Sequence, residues 1–412
     1  MIVITREAVH THARSVAGWT VAALGFSLPV STSLDGILLV MTVVAWTIGG
    51  GFSELPRVVR ENRLALLLPG LFVVIALGML HGLAPFGERV KYLWKYDDFL
   101  LPLVFIPLFV DPAVRERGLW GFGISMGLTL TISLLLAAGW TPPIQWFHGN
   151  QGNATVFRHE ITHNVFMAFA AFLFASAAAR EQTPWRRRGL GLLALGAVAD
   201  VFMFVQGRTG QVVLCALILL WCERRLGVRG LFAGVTAVTL LILVSYTLSP
   251  VFHGRVDLTA AEMERAQVET VAPVTSSVGV RVEWYRNTVN LIAAHPIIGV
   301  GTGSFARAYA EQVTDPAAVK PAHPHNQYLL TAAELGVAGA GVLMTVFVLL
   351  WWKLRHGAAS LYAELGQGIV VAMAVGCAFN SLLIDHTEGL LFAWIISAAL
   401  AVEGRGVTGE AC

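Results

Sequence analysis

Charge is what this 412-residue chain has least of: Asp, Glu, Lys and Arg make up 13% of it, about half the ~25% of an ordinary soluble domain. That scarcity excludes a soluble globular protein, a disordered chain and a coiled coil, all of which keep many charges in water. The charge that is present nearly cancels, 28 Lys plus Arg against 26 Asp plus Glu for a formal +2, so the basic footprint of a nucleic-acid binder is missing. Cysteine is sparse as well. Cys215, Cys222 and Cys377 lie in apolar segments and Cys412 is the last residue, which gives neither a disulfide framework nor metal-ligand spacing. There is no phosphate-cradling P-loop. Met1 to Arg14 is polar and leads into Val16 to Pro29 without a small-residue cleavage pattern, so no removed signal peptide is expected.

In place of charge there is apolar surface: 56% hydrophobic residues with 41 Gly and 12 Trp and a mean hydropathy of +0.68. Lipid favours that composition, while Gly permits close helix contacts and Trp anchors at the interface. Stretches near the ~20 residues that cross a bilayer fall at 15–31, 34–50, 64–83, 93–109, 119–139, 162–179, 189–206, 209–222, 231–248, 325–352, 364–384 and 388–402. The expected fold is therefore an all-α integral membrane protein of about twelve spans. Its parts are spans one to nine (1–248), a large, mostly helical loop (249–323), and spans ten to twelve with a tail (324–412). With the N-terminus inside, seventeen Lys and Arg collect on inner segments, from Arg6 and Arg14 to Arg355 and Arg405. Only Arg89, Lys91, Arg158 and Arg208 stand in short outer connections. The positive-inside rule then puts both termini in the cytoplasm and 249–323 outside. Nine of the twelve histidines fall on that outer side, where no nucleotide is supplied, so a substrate activated beforehand suits the site.

Within the loop, Thr259 to Val271 has helical spacing and stops at Pro273. Arg281, Trp284, Tyr285, Thr288, Leu291 and Ile292 have helical period and end before Pro296. Gly299-Val300-Gly301-Thr302-Gly303 predicts a turn, with Ser304 capping a short helix through Tyr309. No strand precedes it, so the glycines do not make a dinucleotide fingerprint. In Ala322-His323-Pro324-His325-Asn326-Gln327, Pro324 suits a helix start and places His325 in the first turn, where the helix dipole favours a neutral imidazole able to take a proton. A histidine there would equally serve as a cap anchored at the headgroups.

These residues resemble the bacterial O-antigen ligase family, integral-membrane glycosyltransferases that attach O-polysaccharide to the lipid A core. The family's His-[Asn/Ser/Gln]-x9-Gly-x2-[Gly/Thr/Tyr] pattern is met by His325, Asn326, Gly336 and Gly339, and Arg281 to Phe305 is similar to the preceding outer loop. The resemblance implies a GT-C-like architecture in the bacterial inner membrane with its site facing the periplasm. It implies an undecaprenyl pyrophosphate-linked glycan as donor, a sugar hydroxyl of the lipid A core as acceptor, membrane lipids as surroundings, inversion at the anomeric carbon, and no nucleotide, metal or other cofactor. O-antigen polymerases share a related version of this region, and protein O-glycosyltransferases are further relatives. A flippase or secondary transporter is the reading from another class, but no repeat of the first six spans appears in the second six.

The family's functional arginines fall on Arg208, in Gln206-Gly207-Arg208-Thr209-Gly210, and on Arg281. Negative charge builds on the departing pyrophosphate, and arginine's permanently charged fork binds phosphate oxygens bidentately. His325 is then the candidate general base, or a ligand of the phosphate. Arg208 could instead snorkel from a short turn, and Arg281 could pair with Glu283. Arg158, Lys91, Lys95 and Arg89 stand at outer span ends and extend the cationic site or bind headgroups. Glu160, Asp385 and Glu388 are alternative bases. His159, His163 and His386 are near carboxylates without metal-site spacing. Asp97 and Asp98 read as paired charges at the mouth of span four, and Asp200 and Glu334 each need a polar partner within a span. Gly336 and Gly339 read as close-packing positions.

Overall fold

The computed structural model describes residues 5–140, 147–268, 277–316 and 318–403. Among them every regular element is helical, with one isolated bridge between Asn150 and Asn153 in place of any sheet. The expected stop at Pro273 and the tail with Arg405 and Cys412 lie outside the described residues.

Each of the twelve apolar stretches falls on helical structure. The first half is α1 (Arg6–Ser27), α2 (Thr32–Ile48), α3 (Leu55–Glu61), α4 (Leu67–Gly78), α5 (Phe86–Leu93), α6 (Pro102–Phe109), α7 (Pro112–Ala137) and α8 (Glu160–Ala178). The second half is α9 (Pro184–Ala199), α10 (Arg208–Leu226), α11 (Val228–Leu248), α12 (Pro250–Val268), α13 (Ser277–Ala294), α14 (Phe305–Gln312), α15 (Gln327–His356), α16 (Leu361–Gly376) and α17 (His386–Glu403).

Among the described residues, by length and composition, five helical segments could cross a membrane, or six if the pair Thr32–Ile48 and Gly51–Glu61, bent by 73°, counts as one. The count falls short of twelve for visible reasons. Stretch 93–109 is broken into a 3-10 helix, Trp94–Leu100, and α6, which carries Pro102 and Pro107 and so lacks two backbone donors. α16 ends at Gly376 after 16 residues, about 24 Å of helix against a ~30 Å hydrocarbon core.

Burial separates inner from outer helices. In α8, 72% of the apolar window is buried, with Val165 to Phe174 forming a continuous core, whereas in α11 only 11% is. An apolar helix that packs on α10 through Gly230 and Gly234 and is otherwise open, with Phe232 and Leu248 exposed, has lipid as its natural solvent.

The loop helices follow the expected order with shifted ends: α12 begins at Pro250, and α13 stops just before Pro296. Ser304 does not cap α14. Its hydroxyl accepts a hydrogen bond from the Ala84 amide at 3.0 Å instead.

The main departure is in α15, which breaks at Gly336 (φ 69°, ψ −178°). Segment 296–303 docks against the break. The Val337 amide donates to the Pro296 carbonyl (2.9 Å), Val300 to Ala333 (2.9 Å) and Gly301 to Glu334 (2.9 Å). Gly303 donates its amide to the Glu334 carboxylate at 2.9 Å, which is the polar partner that residue needed. Gly299, Gly301 and Gly303 all have positive φ, and a Cβ on Gly336 would lie 2.0 Å from the Ile297 carbonyl. Gly336 thus marks a backbone break that receives a loop, more than a packing surface between helices.

Replacing Gly336 with alanine should lower the thermal stability of the purified protein by a few degrees or more. The strain of a left-handed alanine, about 1 to 3 kcal/mol, adds to the clash with Ile297. Gly341→Ala, where nothing lies within 4 Å of the added carbon, should leave the melting temperature unchanged or raise it.

Candidate functional site

His325 does not sit in the first turn of α15. Asn326 is the N-cap, its side chain accepting from the Leu329 amide at 3.0 Å, and His325 stands one residue before it with φ 52°. It is the only residue other than glycine with positive φ among the described residues. Such a conformation persists only where the surroundings impose it, and here both backbone groups and the ring are held. The Tyr285 hydroxyl donates to the His325 carbonyl (3.2 Å), the His325 amide donates to the His323 Nδ1 (3.3 Å), and the Trp284 ring stacks on the imidazole at 5.3 Å and 13°. Arg281, Trp284 and Tyr285 occupy positions i, i+3 and i+4 of α13, so one face of that helix presents all three toward His325.

The imidazole's Nδ1 lies 3.0 Å from Asn380 Oδ1. An amide oxygen can only accept, so Nδ1 carries the proton and Nε2 keeps its lone pair. Burial lowers the His325 pKa, the Arg281 charge lowers it further, and the Asn380 hydrogen bond opposes both. The neutral ring expected from sequence is thus favoured by desolvation and a nearby guanidinium, not by the helix dipole. His323 is pushed down to about 4, by burial first and then by the charges of His325, Lys95 and Arg281.

The Asn326-Gln327 pair fastens this corner to the turn after α16. Asn326 Nδ2 donates to the Ala378 carbonyl (2.9 Å), the Gln327 amide to the Cys377 carbonyl (2.8 Å), and the Leu383 amide to Gln327 Oε1 (3.3 Å). The early end of α16 is what presents Asn380 to His325.

Arg208 is the first residue of α10. A π-helical turn, Asp200–Phe204, and extended Val205 lead into it, and α8 holds this approach from behind. His163 Nε2 lies 2.9 Å from Asp200 Oδ2, the Ser133 hydroxyl donates to the other Asp200 oxygen, and Asn164 Nδ2 donates to the Gly207 carbonyl at 3.1 Å. Asp200 therefore has its partners within the bundle. A Cβ at Gly207 or Gly210 would come 2.4 Å from Asn164 atoms, so glycine is required on both sides of the arginine.

Arg208 and Arg281 line one cavity of about 240 Å³, together with Glu160, Gln206, Gln211 and Arg255. Arg255, on α12, was not singled out from sequence, because the helical pattern was read from Thr259 onward. The available signal was its place one turn after Pro250, just past span nine. Its guanidinium donates to Gln206 Oε1. Arg255 and Arg281 both act electrostatically on Arg208, with Glu262 opposing them, and Arg281 also acts on His325. Arg281 forms no ion pair with Glu283 among the described residues. Three guanidiniums around so small a space, offset in part by Glu262 and Glu160, favour a multiply charged anion.

The remaining candidate cations do not line this cavity. Arg158 is buried in an ion pair with Asp35 at 2.8 Å and donates to the Leu28 carbonyl at 2.6 Å. Arg89 donates to the Met79 carbonyl, and Lys91 is exposed on α5. Lys95 lies over the Tyr92 ring at 5.3 Å and reaches the site only through its charge on His323. Of the alternative bases, Glu160 lines the cavity, Glu388 accepts from the Thr162 hydroxyl at 2.6 Å, and Asp385 is influenced by Lys95. His159 stacks on His148 at 5.6 Å.

Residues 190–344 match the family model described as O-Antigen ligase. No curated protein matches the chain. The matched segment runs from α9 into α15 and contains Arg208, Arg255, Arg281, His325, Gly336 and Gly339, the residues around which both the cavity and the broken helix are built. By that match residues 190–344 are similar to the O-antigen ligase family.

Proposed function

We propose that this protein is an O-antigen ligase. It transfers O-polysaccharide from undecaprenyl pyrophosphate to a sugar hydroxyl of the lipid A core, on the periplasmic face of the bacterial inner membrane, with inversion and without a metal ion. The observation that carries the reading is the convergence of Arg208, Arg255 and Arg281 on one cavity, with Arg281 also acting on His325.

Breaking the anomeric bond leaves charge on the pyrophosphate, and fixed guanidiniums stabilise that charge more in the transition state than in the ground state. At about 240 Å³ the cavity is below the ~300–1,000 Å³ of drug-sized pockets, which suits a pyrophosphate headgroup and leaves the glycan outside. The acceptor hydroxyl loses a proton as it attacks. His325 takes it at Nε2, because Nδ1 is committed to Asn380. The resulting imidazolium keeps the Asn380 hydrogen bond and lies beside the pyrophosphate it helped to release.

Incubating the purified protein with lipid-linked glycan, with lipid A core, and with both tests the assignment. Transfer that occurs only when the core is present supports a ligase. Glycan lengthening without core identifies a polymerase, and movement of donor across a bilayer with no bond broken identifies a flippase.

Arg208→Ala and Arg281→Ala should each reduce transfer at least about a hundredfold, the ~3 kcal/mol typical of a lost transition-state charge contact, with normal accumulation in the membrane. Lysine should restore only part, since it lacks the fork. Arg255→Ala should weaken donor binding by about tenfold. Retention of full transfer in the Arg208 or Arg281 alanine variant would remove that residue from the pyrophosphate role.

The pH profile tests the base. A lowered pKa keeps His325 neutral below the ordinary histidine value of about 6.5, so the acid limb of kcat/KM should lie below pH 6.5. Removing the Arg281 charge raises the pKa and should move the residual activity's limb to higher pH. Asn380→Ala removes a hydrogen bond that raises the pKa and should move it lower. His325→Ala should abolish turnover while donor binding persists; a parallel loss of donor affinity would make His325 a phosphate ligand instead.

A further inference from the structure

A second group of chemistry-bearing side chains lies outside the three-arginine cavity, where the 3-10 helix Trp94–Leu100 meets the start of α17. Asp97, Asp98 and His386 each offer a ligand atom there, all within 4.8 Å of one another. Asp98 is buried, its side chain 3% exposed. One of its oxygens, Oδ2, lies 3.2 Å from His386 Nδ1. The other, Oδ1, is buried with no hydrogen-bond partner, an arrangement that costs the full desolvation of the atom unless something else is bound. No lysine or arginine forms an ion pair with Asp97 or Asp98 among the described residues. Buried Arg158 is committed to Asp35.

We propose that Asp97, Asp98 and His386 form a divalent-cation site. Two carboxylates and one imidazole suit a borderline or hard cation such as Zn²⁺ or Mn²⁺. Asp98 supplies its orphaned Oδ1, Asp97 closes the site from the adjoining position of the 3-10 helix, and His386, whose Nδ1 donates to Asp98 Oδ2 without metal, releases that proton to solvent and offers the freed Nδ1 lone pair to the cation. A cation about 2.2 Å from each ligand holds those atoms no more than ~4.4 Å apart, so the observed group needs only a slight closure. Gly389, one turn along α17, leaves the space beside Asp98 open: a Cβ there would lie 2.9 Å from Oδ2. His386 keeps 39% exposure, which provides an entry path and leaves a coordination position for a water or an oxyanion from the outside. None of the three ligand residues lines the three-arginine cavity.

The test is metal binding on the full-length purified protein after EDTA treatment and gel filtration, with MnCl₂ as the probe and electron paramagnetic resonance as the readout. One saturable Mn²⁺ per chain is expected, with nitrogen coupling from the imidazole. His386→Gln should remove that coupling, and Asp97→Asn and Asp98→Asn should each weaken binding at least tenfold. Thermal melts of Asp97→Asn, the more open of the two carboxylates, guard against loss of fold. Arg208→Ala should bind Mn²⁺ like the wild type even though transfer is lost, which separates this site from the glycosyltransferase assignment. Absence of saturable Mn²⁺ and Zn²⁺ binding, or binding unchanged in both Asp97→Asn and His386→Gln, would overturn the proposal.

Discussion

A helix that stops bonding to itself in apolar surroundings must find other partners for the backbone groups it releases. In this protein those partners come from segment 296–303. At Gly336 the ladder of α15 opens, and the carbonyls of Ala333 and Glu334 and the amide of Val337 pair with Val300, Gly301 and Pro296. The same segment reaches the other side of the bundle, where Thr302 donates its amide to the Gly78 carbonyl and Leu83 donates to Val300. The loop is thereby built into the bundle. That fixes where α13 ends, and therefore which face of α13 meets His325.

This constraint explains residues that would otherwise look unrelated. Gly299, Gly301, Gly303 and Gly336 share positive φ and have no room for a side chain. Glu334, an acid inside an apolar helix, is satisfied by the amide of Gly303. On the other side of the site the same logic recurs with side chains. His163 and Asn164, adjacent on α8, take up Asp200 and the Gly207 carbonyl where α9 gives way to the π turn, and Arg208 leaves that turn at the head of α10. Irregular backbone is confined to places where protein groups satisfy it, and those places are where the ionisable residues collect.

Electrostatically the site divides its labour. The arginines gather positive charge in a small cavity, and one of them, Arg281, adds to burial in lowering the pKa of the His325 imidazole. In the proposed ligase, a cation that binds the leaving group and disfavours a protonated base would serve both halves of the transfer. Asn380 tempers the second effect and fixes the tautomer.

Sequence alone determined the helical class, the apolar stretches and the helices within 249–323, because hydropathy, periodicity and proline placement are local properties of the chain, whereas Arg208 and Arg281 became candidates beside His325 only through the family resemblance. It could not place Arg255, since that residue matters only once α12 returns beside α10. Nor could it foresee the ion pair that occupies Arg158, formed with Asp35 more than a hundred residues earlier. It put His325 inside a helix because Pro324 permits a helix start, whereas the tertiary structure begins the helix at Gln327, through the cap on Asn326 and the bond from Gln327 to Cys377. The count of long spans changed for the same reason: helix ends are set by which partners take up the freed backbone groups, and those partners, such as Pro296 for Val337, are distant in sequence and meet only in the fold.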